Sequence, residues 1–450
     1  MSSLIQDIIG SIVSPRRRFG NAEAGRTMEE LCNELLSNRG EVSGKRIGST
    51  ILNKYEEMDE DEKISFFSFL TEALDLDYES VAKAANEYGT EKSARNLQDL
   101  LQAAEPPRQE LLRRLNQVPG ATQALVSMRS DLLDLLKTNP GLKRLDLDFQ
   151  HLLTSWFNRG FLDLRPISWE TPANILAKII QYEAVHAIND WNDLRRRLQP
   201  SDRRCFAFFH PSMPNEPLVF VEIALCKGIP ASVQTVLEEQ RDELNEEAAD
   251  TAVFYSISNC QTGLRGISFG NFLIKQVATD LSVELPNLKT FVTLSPIPGL
   301  ADWVAAEPDG LPDGLAQYLA GLQRQSITDK SGEPLQELHG DLKILAAKYL
   351  LQAKRRDGLP VDPVARFHLG NGACVHMLHA AADITHKGVS QSYGLMVNYL
   401  YDMGKAETRH EDFAASGTVD ASKQVRNLAN SKYTKLDSIT SGILHDEPSV

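Results

Sequence analysis

TAVFYSIS (251–258), NCQTGLRGISFG (259–270), NFLIKQVATDL (271–281) and KTFVTLSPIPG (289–299) make up the stretch whose reading decides the fold. The first run alternates as a half-buried strand does. A turn punctuated by Gly263, Gly266 and Gly270 follows, and Phe272, Leu273, Val277 and Leu281 then share one helical face. A second strand ends at Ser295, stiffened by Pro296 and Pro298. Strand, glycine turn, helix and strand define an α/β unit, and such a turn offers unpaired amides at the positive end of a helix dipole. That arrangement suits a pyrophosphate. The glycine spacing is not the Rossmann fingerprint, and no Gly-Lys-Ser/Thr closes a P-loop. Loop chemistry alone leaves two readings open, a phosphate site and a tight turn with incidental glycines.

Outward from this core, further strands are expected at 161–168, 204–210, 218–225 and 394–401, with helices at 172–185, 270–281 and 342–355. PSMPN (211–215) reads as a hairpin connection. Residues 25 to about 150 read as helix throughout. Thr27 and Glu30 form a capping box, Ile64, Phe67, Leu70 and Leu74 make an apolar stripe, and Leu97, Leu100 and Leu101 continue it. Pro106-Pro107, Pro119-Gly120 and Pro140-Gly141 punctuate the helices. The fold class is therefore multidomain α and α/β: an all-α helical bundle over 1–150, then a mixed α/β domain over 151–450. The polar, small-residue stretch AASGTVD (414–420) marks a tail that is partly flexible from about 409. No internal repeat is present.

Hydrophobic residues make up 42% of the 450 and charged residues 24%, the balance of a globular protein. Lys and Arg number 47 against 61 Asp and Glu, a net charge of −14, which excludes a general nucleic-acid binder. The basic runs at 195–197 and 354–356 read as solvated helix faces. Five cysteines without chelating spacing argue against a structural zinc and for a reducing compartment. The N-terminal stretch places apolar before basic residues, the reverse of a secretory signal, and the sequence ends in EPSV rather than a peroxisomal address. No window reaches the roughly 18 apolar residues of a membrane span. The cytoplasm is the expected compartment.

Residues 265–270 resemble, loosely in spacing, the Gln/Arg-x-x-Gly-x-Gly/Ala motif that receives the coenzyme A pyrophosphate in GNAT acyltransferases. Three phrases in order, KTFVTLSPIPG (289–299), RFHLGNGA (366–373) and GLMVNYLY (394–401), resemble the malonyl-CoA decarboxylase family. EAVH (183–186) and the stretch 210–218 add to the likeness. It spans roughly 149–402, and the helical region matches the family's architecture more loosely.

The resemblance implies a GNAT-like acyl-CoA-binding domain that turns malonyl-CoA into acetyl-CoA and carbon dioxide with neither metal nor organic cofactor. Loss of carbon dioxide leaves a thioester enolate, so a site must hold the carboxylate, stabilise charge on the thioester oxygen and protonate the α-carbon. Ser295 matches the family's catalytic serine and is expected to orient the carboxylate. It is not set in a Gly-x-Ser-x-Gly elbow. His368 matches the catalytic histidine and is expected to protonate the α-carbon, with a pKa near 6.5 suited to that work. Tyr401 matches a supporting tyrosine. Arg265, Gly266, Ile267, Ser268, Phe269, Gly270 and Asn271 are the expected coenzyme A contacts, and a backbone amide near a splayed strand the contact to the thioester oxygen. Some relatives carry glutamate where this chain has Ser268, so no Ser-His-Glu relay is inferred. His376 and His379, three apart on a strand, would face opposite ways, and no metal triad with His386 is expected. Self-association through the helical domain is expected. The alternatives are a GNAT-type N-acyltransferase, which would need an amine acceptor, and a thioester-sensing module without turnover.

Overall fold

The computed structural model describes residues 25–37, 40–267, 273–306, 308, 311–312, 314–329 and 333–436. The chain divides into two compact units, one of Met1–Trp156 with Thr262–Ile267, the other of Phe157–Gln261 with Ser268–Val450.

The first unit is helical. The Thr27–Glu30 capping box forms, each side chain accepting from the other's amide, and a second box at Asp59 and Glu62 opens the helix Glu60–Glu72. Apolar faces carrying Leu35, Ile51, Phe67, Leu70, Leu111, Leu125 and Leu132 are buried together. Buried charge is paired: Arg108 meets Asp75 and Asp148, and Arg129 meets Asp146. Two helices, Tyr78–Thr90 and Ala94–Ala103, behave differently. Between them they bury only Ala84, and Leu101 of the stripe read from sequence is 63% exposed.

The second unit is built on an eight-stranded mixed sheet. Its strands are β1 (Asp163–Pro166), β2 (Arg203–Phe209), β3 (Val219–Cys226), β4 (Thr251–Asn259), β5 (Thr290–Thr293), β6 (Ser295–Pro296), β7 (Cys374–His379) and β8 (Met396–Leu400). β1 to β4 form an antiparallel meander, with the expected hairpin between β2 and β3. β4 and β5 are parallel, and β8 pairs antiparallel with β5, β6 and β7. The helix Leu273–Glu284 is the crossover between β4 and β5, and its Leu273, Ile274, Val277 and Leu281 pack on the sheet with Val221, Ile223 and Phe254.

Two irregularities position the site. Glu222 faces Ser256 while its neighbour Ile223 faces Phe254, so Tyr255 is an extra, bulged residue of β4. The parallel pairing of β4 with β5 ends at Phe254 opposite Thr293, followed by a single bond from the Leu294 amide to the Phe254 carbonyl. β4 runs on to Asn259, whereas Ser295 turns to pair with Val397 of β8. The two parallel strands therefore part at the bulge, and the gap between them is a cleft.

β7 is absent from the expected strands because a second bulge, at His376, breaks its alternation. That bulge also replaces the simple opposite-face geometry expected of His376 and His379. Of the tail expected to be partly flexible from about 409, residues 437–450 lie outside the described residues, and before them the helices Ala406–Ser416 and Lys423–Ala429 bury Phe413 and Val425, with Leu436 buried beyond them. A few spaced apolar residues in a polar segment suffice to dock it on a core.

Candidate active site

Ser295 opens β6 where β4 and β5 part, His368 lies on the helix Pro363–Gly370, and Tyr401 directly follows β8. The helix begins at Asp362, whose carboxylate accepts from the Ala365 amide, and Pro363 occupies its first turn. Its end is tightly made. Asn371 donates its side-chain amide to the Phe367 carbonyl, and Gly372 adopts φ +82° where an added Cβ would lie 2.0 Å from the Ala406 carbonyl oxygen. The GNG of RFHLGNGA thus secures the turn that carries the histidine. The Tyr401 amide donates to the Phe291 carbonyl, tying it to β5.

The structure brings these three side chains into one hydrogen-bonded chain. Ser295 Oγ lies 3.1 Å from His368 Nε2, and His368 Nδ1 lies 2.9 Å from the Tyr401 hydroxyl. The imidazole stacks on Tyr399 with ring centroids 4.5 Å apart and meets the edge of Phe367. Both tyrosine hydroxyls are buried and their pKa values pushed up by that burial. Burial likewise lowers the His368 pKa to about 3. The ordinary value near 6.5 expected from sequence is therefore corrected: His368 is neutral at physiological pH, because its partners are hydroxyls and rings that do not compensate an imidazolium.

A cavity of about 270 Å³ opens beside this chain, lined by Val185, Phe254, Tyr255, Ile257, Asn259, Leu294, Ser295, Pro296, Pro363, Val364, Phe367 and His368. It occupies the gap between β4 and β5, and among the described residues that line it none is charged. Behind it, Glu183 accepts from the Val185 and His186 amides and from the hydroxyls of Ser256 and Ser258. EAVH (183–186) thereby fastens one lip of the cavity to the bulged strand. Burial lowers the His186 pKa to about 4 and, with Glu183 nearby, raises Glu222 to about 8.

The expected coenzyme A contacts divide. Arg265, Gly266 and Ile267 belong to the helical unit, with Gly266 at φ +83°. Ser268, Phe269, Gly270 and Asn271 lie outside the described residues. Among the described residues no group of three or more His, Cys, Asp or Glu side chains forms a metal-binding cluster, and no helix is long and apolar enough to cross a membrane.

Fold and site together define an α/β protein with a buried hydroxyl–imidazole–hydroxyl chain beside a cleft between splayed parallel strands, the arrangement of an enzyme. Comparison makes this specific. The family model "Malonyl-CoA decarboxylase C-terminal domain" matches residues 160–439, and "Malonyl-CoA decarboxylase N-terminal domain" matches 75–157. Mitochondrial malonyl-CoA decarboxylase of Mus musculus is 34% identical over 397 residues, covering 80% of each chain. The crystal structure of malonyl-CoA decarboxylase from Agrobacterium vitis is 50% identical with a TM-score of 0.83, covering 89% of this chain and 99% of that one. That from Rhodopseudomonas palustris is 48% identical with a TM-score of 0.81, covering 89% and 98%. The chain belongs to the malonyl-CoA decarboxylase family, a family of carboxy-lyases.

Proposed function

We propose that the chain converts malonyl-CoA to acetyl-CoA and carbon dioxide through a thioester enolate, with Ser295 orienting the carboxylate and the Ser295–His368–Tyr401 chain delivering the proton to the α-carbon. The observation that carries this reading is the hydroxyl–imidazole–hydroxyl chain facing an uncharged cavity. A malonyl carboxylate placed there gives up its hydration, and its localised charge disappears as carbon dioxide leaves and the electron pair spreads over the thioester. A backbone amide at the Tyr255 bulge is the contact assigned to the thioester oxygen, since bulged backbone is released from ladder pairing.

Protonation follows from the neutral histidine. The enolate carbon is a strong base and takes the Ser295 proton, which Nε2–H of His368 replaces while Tyr401 supports Nδ1. Water restores the imidazole proton as product leaves, so one proton is consumed per turnover. For the pyrophosphate the segment 265–271 is retained, on the order of strand, glycine turn and helix. Incubation of the purified chain with malonyl-CoA and no acceptor is expected to yield acetyl-CoA and carbon dioxide in equal amounts. Turnover that requires an amine would favour the N-acyltransferase instead.

The pH dependence has a definite sign. A histidine with its pKa lowered to about 3 stays neutral from pH 5.5 to 7.5, so kcat/KM carries no histidine limb near 6.5 in that window. A limb that disappears in the His368→Asn variant would overturn the neutral-imidazole step.

The partner assigned to the helical unit is a second copy of the chain, bound through the pair of helices Tyr78–Thr90 and Ala94–Ala103. Support comes from their amphipathic sequences, which bury almost nothing, and from exposed Tyr78, Leu97 and Leu101. The double substitution Leu97→Glu with Leu101→Glu is expected to shift sedimentation to a smaller species at unchanged helix content. Unchanged sedimentation would remove this surface from consideration. A reducing compartment, the cytoplasm by the sequence reading, is supported by five free cysteines; fractionation of cells carrying the tagged chain tests it.

A further inference from the structure

Thr293 closes β5, two residues before Ser295, and is wholly buried. It does not line the cavity and belongs to no catalytic pattern, yet its side chain decides how the hydrogen-bonded chain is directed. Its Oγ1 accepts from the Ser295 hydroxyl at 2.8 Å and from the Tyr399 amide at 3.1 Å. A hydroxyl oxygen has two lone pairs, and both are engaged.

The consequence runs outward by proton counting. In the resting chain the Ser295 proton points at Thr293, and in the proposed turnover it passes to the enolate carbon; in neither state is it given to His368. The 3.1 Å contact between Ser295 Oγ and His368 Nε2 is then made by a proton on Nε2. Nδ1 is left bare and accepts from the Tyr401 hydroxyl at 2.9 Å. The partner of one ring nitrogen sets the state of the other. Thr293 is itself immobilised, since it sits opposite Phe254 in the sheet and its carbonyl accepts from Asn398 Nδ2 at 2.7 Å. Asn398 in turn is oriented by His379, whose Nε2 donates to Oδ1. This order argues against Ser295 as an activated nucleophile: a serine whose proton is turned away from the imidazole is not deprotonated by it.

We propose that Thr293 is a positioning residue that, by accepting the Ser295 hydroxyl proton, holds His368 in the Nε2–H tautomer from which the proton is delivered in the active-site cleft. The inference rests on the roles given above to Ser295 and His368.

The test compares full-length Thr293→Val, which keeps shape but removes the acceptor, with Thr293→Ser, which restores it. In the Val variant Ser295 turns its proton to Nε2, and the imidazole proton moves to Nδ1. Nitrogen-15 NMR of histidine-labelled protein is expected to show that exchange for His368, with kcat down about tenfold and KM within about twofold. The Ser variant is expected to keep the Nε2–H signature and near-wild-type kcat. Retention of Nε2–H in Thr293→Val, or a lowered melting temperature with no tautomer change, would make Thr293 merely structural and overturn the proposal. Should the wild-type chain not decarboxylate malonyl-CoA, the functional reading fails, while the tautomer measurement still decides the role of Thr293.

Discussion

His368→Asn is expected to lower kcat for malonyl-CoA decarboxylation by about 10²-fold or more, and Ser295→Ala by at least about tenfold, while both variants remain folded. The asymmetry comes from geometry. Asparagine shortens the side chain and loses the second ring nitrogen, so the link from Tyr401 to Ser295, made at 2.9 and 3.1 Å, cannot be spanned. Ser295→Ala leaves the imidazole in place on Tyr399 and removes only the atom proposed to orient the carboxylate and pass the proton. KM should change little in either variant, because most coenzyme A binding energy lies away from the reacting atoms. Steady-state kinetics with near-wild-type melting curves check this. Rates within twofold of wild type in both variants would remove the hydroxyl–imidazole chain from the mechanism.

The extent to which this site was readable in sequence differs residue by residue. Ser295, His368 and Tyr401 lie 73 and 33 positions apart, and no spacing rule connects them; only the resemblance of three phrases to a family does. The strand TAVFYSIS and its crossover helix were legible from alternation and helical periodicity. What those patterns cannot contain is tertiary environment. The pKa of His368 depends on its burial among Tyr399, Phe367 and two hydroxyls, so the sequence-based value was too high. Thr293 looks like any β-branched strand residue until its Oγ1 is seen to receive two protons. β7 is not legible because the bulge at His376 destroys the alternation that reveals a strand, and the helices within 406–429 are hard to read because their apolar residues are sparse.

Gly263 belongs to the same lesson, and its substitution is the other large effect expected. In sequence it is one of three glycines of an apparent phosphate turn. In the structure a Cβ at this position would lie 1.8 Å from the Val126 carbonyl oxygen, so the glycine admits a helix backbone of the helical unit rather than a ligand. Buried Arg129 seals the contact, donating to the Gly263 carbonyl at 2.7 Å and to Asp146 at 2.8 Å. Gly263→Ala has no flexible side chain to push aside; backbone must move and the Arg129 bond be lost. The expected cost is roughly 3 kcal/mol, a fall in melting temperature on the order of 6–12 °C for a unit of this size. Gly266 is the control. It has φ +83° but nothing within 4 Å of an added Cβ, so Gly266→Ala pays only the left-handed backbone penalty of about 1–2 kcal/mol, and Gly266→Asn less. The two roles separate in measurement: a packing glycine lowers the melting temperature when replaced, whereas a ligand glycine raises KM for malonyl-CoA at unchanged stability. A Gly263→Ala variant that melts like wild type but binds malonyl-CoA weakly would return Gly263 to the pyrophosphate turn.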